Sequence, residues 1–534
     1  MTDLTPGVAG RAIGDEGDPM GDPSIPPVPP PQQSLARRLA QGTGWQALSQ
    51  TLPLVFNLAL TPFIIHGLGV ELYGIFLLVA VIQQFISSVD GGIGPGARRY
   101  FGIYAGKGDR VSITSLLVTL LLLIAASSLV VCGLAFWAAP QIVAFFPGAS
   151  VDPVGAIFLL RVMIVIVAVA QARTLFTQVL WTANKFQLQA AGDLLGFFVY
   201  AMGMVATVVN GYGLIGIGFT LIAQQLLSTV VVVPTAMLRL DRAGVRFVPR
   251  ALLKEFFGFA WKIQISGILS LVSQQGDALF VGRFAAPQMT AFGTGASFAA
   301  TLRGMPMNAS TPMEANIIRE LGARGEEGAA EEATKIQRIW VRLIAGWVAV
   351  GVPAAWFGVN AWLHLGTELP GQVAAVVLLA YGVSLMMLIQ RFWINALGRS
   401  GLTLSHDLIN TTLNLGLTFP LILSYGALGT VTATFVAALS AAVYLTVIGQ
   451  RRIAVRLPTP WSQVSWLWVI GAALASAGAT WAAARFLTGS IVPFGPLSLL
   501  TIGLSAAPVL LVYLIQTVGV SRARELLATI VRRR

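Results

Sequence analysis

Charged residues are scarce in this chain. Of its 534 residues only 10% are Asp, Glu, Lys or Arg, whereas 56% are hydrophobic. A soluble domain carries about 25% charged residues, so a chain this poor in charge needs lipid around it. The net charge of +12 does not indicate a nucleic-acid partner, because the basic residues are spread between apolar runs and form no continuous patch.

Cysteine and histidine are nearly absent as well. The single cysteine, Cys132, lies in an apolar run, and the three histidines are scattered along the chain. This composition excludes a disulfide framework and a cysteine zinc site. We therefore predict neither a metal centre nor a bound cofactor.

The first 43 residues differ from the rest because they are rich in Pro, Gly and Asp. Such a stretch cannot bury a core, and we predict a disordered cytoplasmic tail over residues 1–43. It has no basic head followed by an apolar run, so it does not resemble a cleavable signal peptide. A plain linker and a Pro-rich partner-binding motif both fit this composition.

Long apolar runs fill the remainder of the chain. A membrane-spanning helix needs about 20 mostly apolar residues. Fourteen runs meet this requirement, and we number them as spans in chain order: 45–66, 72–94, 112–137, 156–182, 187–208, 213–236, 256–281, 287–309, 338–361, 372–396, 402–423, 427–449, 463–486 and 493–517. The predicted fold is therefore an all-α integral membrane protein.

Lys and Arg residues fall in every second connection between these spans, as in the group around Arg239, Arg242 and Arg246. Basic residues mark cytoplasmic connections, so both termini are predicted to be cytoplasmic. The inside connection 303–337 is the longest, and either an interfacial helix or a linker helix fits it. The outside connections are short, and the longest, 138–155, carries a single acid, Asp152.

Two segments repeat at a distance of about 213 residues. Tyr212-Gly213-Leu214-Ile215-Gly216 recurs as Tyr425-Gly426-Ala427-Leu428-Gly429, and Lys185 with Asp193 recurs as Arg399 with Asp407. Because both halves start inside, we predict two six-helix same-direction repeats that form two lobes. The N-lobe covers 44–237 and the C-lobe 238–449; spans thirteen and fourteen and a basic tail occupy 450–534.

Polar side chains recur at helical spacing inside several spans. In lipid such a stripe points towards protein or water. Span seven has the clearest stripe, with five residues on one face: Lys262, Ser266, Ser270, Gln274 and Asp277. Spans four, eight and eleven carry further Ser, Thr, Asn and Gln residues. Tight helix packing is the alternative explanation for these residues, and Lys262 can also extend to the interface.

The charged residues within the spans suggest an anionic cargo. Arg and Lys pair with phosphate, so Lys262, Arg173 and Arg391 are candidate ligands for a diphosphate-linked head. Ser266, Ser270 and Gln274 would hydrogen-bond to its sugars. The candidates for a coupling Na⁺ or H⁺ are three carboxylates: Asp277, Asp193 and Asp407. For Asp193 and Asp407 the alternative is an internal salt bridge to Arg173 or Arg391.

Two short motifs resemble a known family. Leu68-Gly69-Val70-Glu71-Leu72-Tyr73-Gly74 is similar to the LG-x-E-x-YG turn of polysaccharide exporters. Asp90-Gly91-Gly92-Ile93, followed by Arg99-Tyr100, is similar to the stretch that closes their second helix. With Asp277 and the YG-x-x-G starts of spans six and twelve, residues 45–450 resemble the Wzx-type lipid-linked oligosaccharide flippases. These belong to the multidrug/oligosaccharidyl-lipid/polysaccharide (MOP) exporter superfamily.

The resemblance implies a function and a location. Such proteins are alternating-access flippases with a central, partly cationic cavity. They move an undecaprenyl-diphosphate-linked oligosaccharide from the inner to the outer leaflet of the bacterial inner membrane. The glycan then enters surface polysaccharide assembly, with membrane lipids and the polysaccharide polymerase machinery as partners. We expect a monomer, with Asp90 and Arg99 as gate candidates. Span one carries no basic residue, which disfavours lipid II as the cargo.

Three other classes of protein compete with the flippase as explanations of this sequence. A multidrug antiporter of the same superfamily would have carboxylates in its cavity, because its cargo is usually cationic. A passive scramblase cannot be separated from an active flippase by sequence. A membrane glycosyltransferase or polymerase usually carries acidic catalytic residues or a large outer loop. The chain shows neither, so we predict that it is not an enzyme.

Overall fold

The computed structural model describes residues 56–88, 109–183, 185–241, 250–489 and 496–518, with isolated positions between 49 and 53, 93 and 104, and 245 and 248. The predicted tail 1–43 and the gate candidates Asp90 and Arg99 lie outside the described residues. So do the side chains of Lys262, Ser266 and Ser270, although their backbone belongs to a helix.

The structure is all-helical over the described residues, with no strand among them. The first half contains α1 Phe56–Leu68, α2 Val70–Ser87, α3 Arg110–Phe145, α4 Pro153–Thr182, α5 Phe186–Val209 and α6 Gly213–Met237. The second half contains α7 Arg250–Phe284, α8 Met289–Leu363, α9 Leu369–Met386, α10 Leu388–Ala396, α11 Ser400–Tyr425 and α12 Ala427–Tyr444. The chain ends with α13 Trp466–Gly489 and α14 Pro496–Val518.

Ten of the described helical segments are long and apolar enough to cross a membrane. Helix α1 is a shorter apolar helix, and α7, the first part of α8 and α11 are less apolar because they carry polar stripes. Every predicted span falls on a helix: α8 contains spans eight and nine, and α9 and α10 together form span ten. The predicted all-α membrane fold is confirmed.

The packing of the first half is repeated in the second. In the N-lobe, α4 packs against α3 and α6, and α5 packs against α6. In the C-lobe, α9 packs against α8 and α12, and α11 packs against α12. Corresponding helices therefore occupy corresponding places, which is the two-lobed, duplicated arrangement that the sequence predicts.

The C-terminal helix pair is attached to the C-lobe through α8. The Ser476 hydroxyl on α13 donates to the Val350 carbonyl at 3.0 Å, and the Ser498 hydroxyl on α14 donates to the Ala361 carbonyl at 3.1 Å. The Arg342 guanidinium donates to the Thr517 carbonyl at 2.8 Å, near the end of α14 where carbonyls lack helical partners. These bonds fix the pair to one lobe only.

The predicted connection 303–337 between spans eight and nine is helical, as both interpretations from the sequence, an interfacial helix and a linker helix, required. Helix α8 runs through it, and its only non-helical residue is Gly325, with φ of 70°. Pairs of opposite charge at i,i+4 favour helix here, with Arg324 Nε 2.6 Å from Glu320 and Lys335 Nζ 2.8 Å from Glu331. A left-handed backbone suits glycine, so the change of direction falls at Gly325.

The outer connection after span three is shorter than predicted. Helix α3 continues to Phe145, so the predicted loop 138–155 reduces to a 3₁₀ turn over Pro147–Val151 and its flanks. Its one acid, Asp152, caps α4 by accepting a hydrogen bond from the Gly155 amide at 2.9 Å. The single carboxylate in this connection therefore has a structural role.

Candidate functional site

A buried carboxylate lies at the centre of the C-lobe. Asp277 on α7 is only 7% exposed and is surrounded by α11 and α12. The Thr418 hydroxyl donates to Asp277 Oδ1 at 3.2 Å, and the Thr434 hydroxyl donates to Oδ2. The Asn414 side-chain oxygen lies 3.1 Å from the Thr418 hydroxyl. Three helices thus meet at one carboxylate, and we call Asp277, Asn414, Thr418 and Thr434 the Asp277 cluster.

The chemistry of the Asp277 cluster suits a small cation or a proton. Among the described residues Asp277 forms no salt bridge, and its hydrogen-bond partners are the uncharged hydroxyl groups of Thr418 and Thr434. Hydroxyl groups rotate and can present either their hydrogen or their lone pairs, so each of the four residues can present an oxygen to a cation. Intramembrane carboxylates that lack a fixed counter-ion are characteristic of ion and proton pathways.

The sequence indicated most of the Asp277 cluster. The stripes of spans seven and eleven contain Asp277, Asn414 and Thr418, and the structure brings them together. Thr434 was missed, although its spacing of four from Thr430 in span twelve is the same kind of signal. One turn away, the Asn410 amide donates to the Ser273 hydroxyl at 3.3 Å and joins the same two helices.

The structure describes one further side chain of the span-seven stripe. Gln274 is exposed on α7. Gln264, which the stripe did not include, donates to the Ser88 carbonyl at the end of α2 and so connects the two lobes. Lys262, Ser266 and Ser270 stay predictions.

Two salt bridges occupy equivalent places in the two lobes. Arg173 Nη1 on α4 lies 2.8 Å from Asp193 Oδ1 on α5, and Arg391 Nη2 on α10 lies 3.0 Å from Asp407 Oδ2 on α11. This is the internal salt-bridge alternative proposed from the sequence. In each lobe the bridge joins neighbouring helices, and the roles of these residues in cargo or ion binding stay predictions.

The salt bridge between Arg391 and Asp407 is expected to stabilise the C-lobe. Its side chains are 28% and 45% exposed, so Asp407→Asn should cost roughly 1–2 kcal/mol, between the values for exposed and buried pairs. Thermal unfolding in detergent measures this loss, and the reversed pair Arg391→Asp with Asp407→Arg should recover part of it. An unchanged unfolding midpoint combined with lost transport would instead place the pair in the transport site.

Arg303 is a cation that packs on an aromatic ring. It lies at the start of the predicted connection 303–337, and α8 carries it alongside Tyr381 of α9. The guanidinium carbon lies 4.7 Å from the Tyr381 ring centroid, and Nε is buried with no hydrogen-bond partner. In the described part of the chain Arg303 has no acidic partner. Tyr381 lies about 18 Å along α9, so Arg303 is deep in the lobe.

Several polar residues of α4 and α8 form hydrogen bonds within their own helix or to a neighbouring helix, as expected for tight helix packing. Gln171 accepts from the Ser128 hydroxyl of α3 at 3.0 Å. Thr174 donates to its own helix at the Ala170 carbonyl at 2.9 Å, and Thr294 donates to the Thr290 carbonyl at 2.7 Å. Contacts of this kind hold helices together and require no cargo.

The two lobes meet tightly at the start of α2. The Thr290 hydroxyl of α8 donates to the Val70 carbonyl at 2.5 Å. A Cβ on Gly74 would lie 3.0 Å from that hydroxyl, and a Cβ on Gly282 of α7 would lie 2.5 Å from Leu78 Cδ1. The glycines therefore permit close approach of the lobes. We call this the α2–α8 contact; it includes the LG-x-E-x-YG turn, which the sequence indicated only as a family marker.

The solved structures that resemble this chain share one class of fold. No family model matches the chain, and no curated protein matches it significantly. Among solved structures, the lipid II flippase MurJ in an inward closed conformation has a TM-score of 0.62 at 13% identity, covering 89% of this chain and 98% of that one. An inward-facing multidrug resistance MATE family transporter of the MOP superfamily has a TM-score of 0.60 at 14% identity, covering 77% and 98%. A Vibrio cholerae MATE transporter has a TM-score of 0.51 at 16% identity, covering 83% and 97%.

These likenesses define the class of fold. The chain has the fold of MOP-superfamily transporters, in agreement with the superfamily that its motifs resemble. It is a multi-pass membrane protein, and the similar structures are transporters and flippases, not enzymes. Because identity is this low, the cargo has to be argued from the residues of this chain.

Proposed function

We propose that this protein is an alternating-access flippase for an undecaprenyl-diphosphate-linked oligosaccharide in the bacterial inner membrane. It would move the lipid from the inner to the outer leaflet for surface polysaccharide assembly. The fold is shared with a lipid II flippase and with multidrug transporters, so it supports transport without selecting the cargo.

The charge inside the spans favours an anionic cargo, and this is the observation that carries the proposal. Among the described residues, Asp193 and Asp407 are paired with arginines and Asp277 is enclosed by hydroxyl groups. Arg303, in contrast, forms no salt bridge within the described part of the chain. A cationic drug requires an available carboxylate, whereas a diphosphate requires available cations.

Named residues would act in the following order. Arg303 and Lys262, with Arg173 and Arg391 nearer the helix pairs, receive the diphosphate between the lobes. Ser266, Ser270 and Gln274 hydrogen-bond to the sugars, while the lipid tail stays in the bilayer. Binding of Na⁺ or H⁺ at the Asp277 cluster then biases rocking of the lobes. No covalent step is required.

The proposal is tested by flipping in proteoliposomes. A fluorescent polyprenyl-diphosphate disaccharide should move between leaflets faster with the wild-type protein than without it, and the organic cation ethidium should not be transported. Arg303→Gln should slow flipping about tenfold, because it removes a charge-assisted contact. Arg485→Gln on α13, which removes an arginine packed on Trp481, is the matched control.

Two results would contradict this cargo. Transport of ethidium without lipid flipping would identify a multidrug antiporter. Flipping that ignores both sodium and proton gradients would identify a passive scramblase.

The orientation is tested separately with reporter fusions. The distribution of Lys and Arg predicts that a reporter placed after Arg456 is cytoplasmic and that one placed after Gly489 is periplasmic. Alkaline phosphatase activity after Gly489, together with fluorescence of a cytoplasmic-type reporter after Arg456, would agree with this orientation. The reverse pattern would invert it.

A further inference from the structure

The N-lobe contains a large apolar cleft of its own. Its volume is about 910 Å³, within the range of about 300–1,000 Å³ for ligand pockets. Helices α3, α4 and α6 form its walls, and no lining residue belongs to the C-lobe. The walls include Leu122, Leu129 and Val165, which are exposed apolar side chains. We call it the α3–α4 cleft.

An arginine without an acidic partner lies at one end of this cleft. Arg161 on α4 places its guanidinium carbon 5.0 Å from the ring centroid of Phe136, and Phe136 lines the cleft. Arg161 Nε is buried and has no hydrogen-bond partner. Throughout the described ranges Arg161 forms no ion pair. A cation at this depth costs roughly 2.5–3.5 kcal/mol on insertion scales, so its retention calls for an anion.

A second arginine lies at the other end. Arg173 lines the cleft and is already neutralised by Asp193. The two arginines are about 18 Å apart along α4 at 1.5 Å per residue. Between them the wall of α4 is apolar, with Val165, Ala168 and Val169 facing the cleft. The cleft therefore offers a long hydrocarbon surface with one uncompensated positive charge near the Pro153 end of α4.

We propose that the α3–α4 cleft binds an anionic phospholipid, with an acyl chain between α3 and α4 and the phosphate against Arg161. Lipid phosphate supplies the missing counter-charge, and hydrocarbon matches the walls. In the proposed orientation this lipid belongs to the outer leaflet. Only the N-lobe lines this cleft, whereas the proposed cargo path lies between the lobes. Arg173, at the end of the cleft away from the phosphate, is the one residue assigned to both.

The structure offers two variants with matched controls. Arg161→Gln removes the charge, and Arg485→Gln removes an arginine that packs on Trp481 in the same way. Gly133→Phe fills the cleft, because a Cβ at Gly133, which lines it, meets nothing within 4 Å. Gly478 on α13 is equally open, so Gly478→Phe adds the same bulk elsewhere.

The experiment uses the full chain in nanodiscs of phosphatidylcholine with or without phosphatidylglycerol, followed by delipidation and native mass spectrometry. Wild-type protein should retain phosphatidylglycerol in preference to phosphatidylcholine. Arg161→Gln and Gly133→Phe should each weaken this retention about tenfold, and the two controls should not. Size-exclusion profiles establish whether each variant is folded. If Arg161→Gln does not fold, Gly133→Phe decides the test.

Three results would overturn the proposal. Equal retention of the two lipids would remove the charge selectivity, and wild-type retention in both cleft variants would place the lipid elsewhere. Displacement of phosphatidylglycerol by an equimolar polyprenyl phosphate would assign the cleft to the cargo tail. None of these measurements depends on flipping. A failure of the proposed transport function can therefore be distinguished from a failure of the lipid-site proposal.

Discussion

A disulfide between α2 and α8 is expected to stop transport completely. A Cβ on Gly74 would lie 3.6 Å from the Cβ of Met289, within the range of about 3.5–4.5 Å that disulfides require. Gly74→Cys with Met289→Cys would therefore join the lobes across the α2–α8 contact. Since alternating access requires the lobes to separate at each end in turn, the oxidised protein should show no flipping above background. Cys132 is the only native cysteine, so Cys132→Ala gives a clean background.

Reduction and a control pair make this test specific. Dithiothreitol should restore flipping to the level of the reduced double variant. Gly196→Cys with Ser228→Cys joins α5 to α6 inside the N-lobe, where a Cβ on Gly196 would lie 3.5 Å from the Ser228 Cβ. Because that cross-link does not restrain the lobes relative to each other, it should leave flipping intact. Undiminished flipping by the fully oxidised α2–α8 variant would show that this contact does not open.

Asp277→Asn is expected to abolish cation-driven flipping while leaving the protein folded. Asparagine has nearly the same shape and still accepts a hydrogen bond from Thr418, but it neither takes up a proton nor attracts a cation. Replacing a buried carboxylate by an amide also relieves a desolvation cost, so abundance should not fall. In proteoliposomes, acceleration of flipping by a sodium or proton gradient should drop at least about tenfold.

The control for this variant is a second aspartate with a structural role, Asp152, which caps α4. Asp152→Asn alters the N-cap of α4 outside the C-lobe and should reduce stability by at most about 1 kcal/mol without changing the response to a gradient. Flipping that still follows the gradient in Asp277→Asn would remove the Asp277 cluster from the coupling mechanism. Loss of the folded protein in this variant would instead assign the cluster a structural role.

Apolar runs and repeated signals were enough to predict the architecture. Each span follows from about 20 apolar residues, and the repeat of Asp193 at Asp407 predicted matching positions in the two lobes. The end of α3 was not predictable in this way, and neither was the continuity of α8 from span eight into span nine. Between these spans local charge pairs, such as Glu331 with Lys335, favour helix, and hydropathy does not detect them.

The candidate site was only partly predictable for a related reason. Periodicity shows which residues share a face of one helix, but not which faces meet. It identified Asp277 and Asn414 separately, and only the fold shows that they meet with Thr434 of a third helix. For Asp193 the sequence left open a coupling ion or a salt bridge to Arg173 or Arg391, and the distance of 2.8 Å from Arg173 shows the salt bridge.

Helix α8 also links two places that lie far apart. From Thr290, which bonds to Val70, it is uninterrupted as far as Arg324, a rod about 50 Å long at 1.5 Å per residue. The hydrocarbon layer is only about 30 Å thick, so the rod extends beyond it. A small tilt at the Thr290 end becomes a larger displacement at the far end, as with a lever. In the proposed orientation that far end is cytosolic, so a protein bound there would register whether the opposite side of the membrane is open or shut.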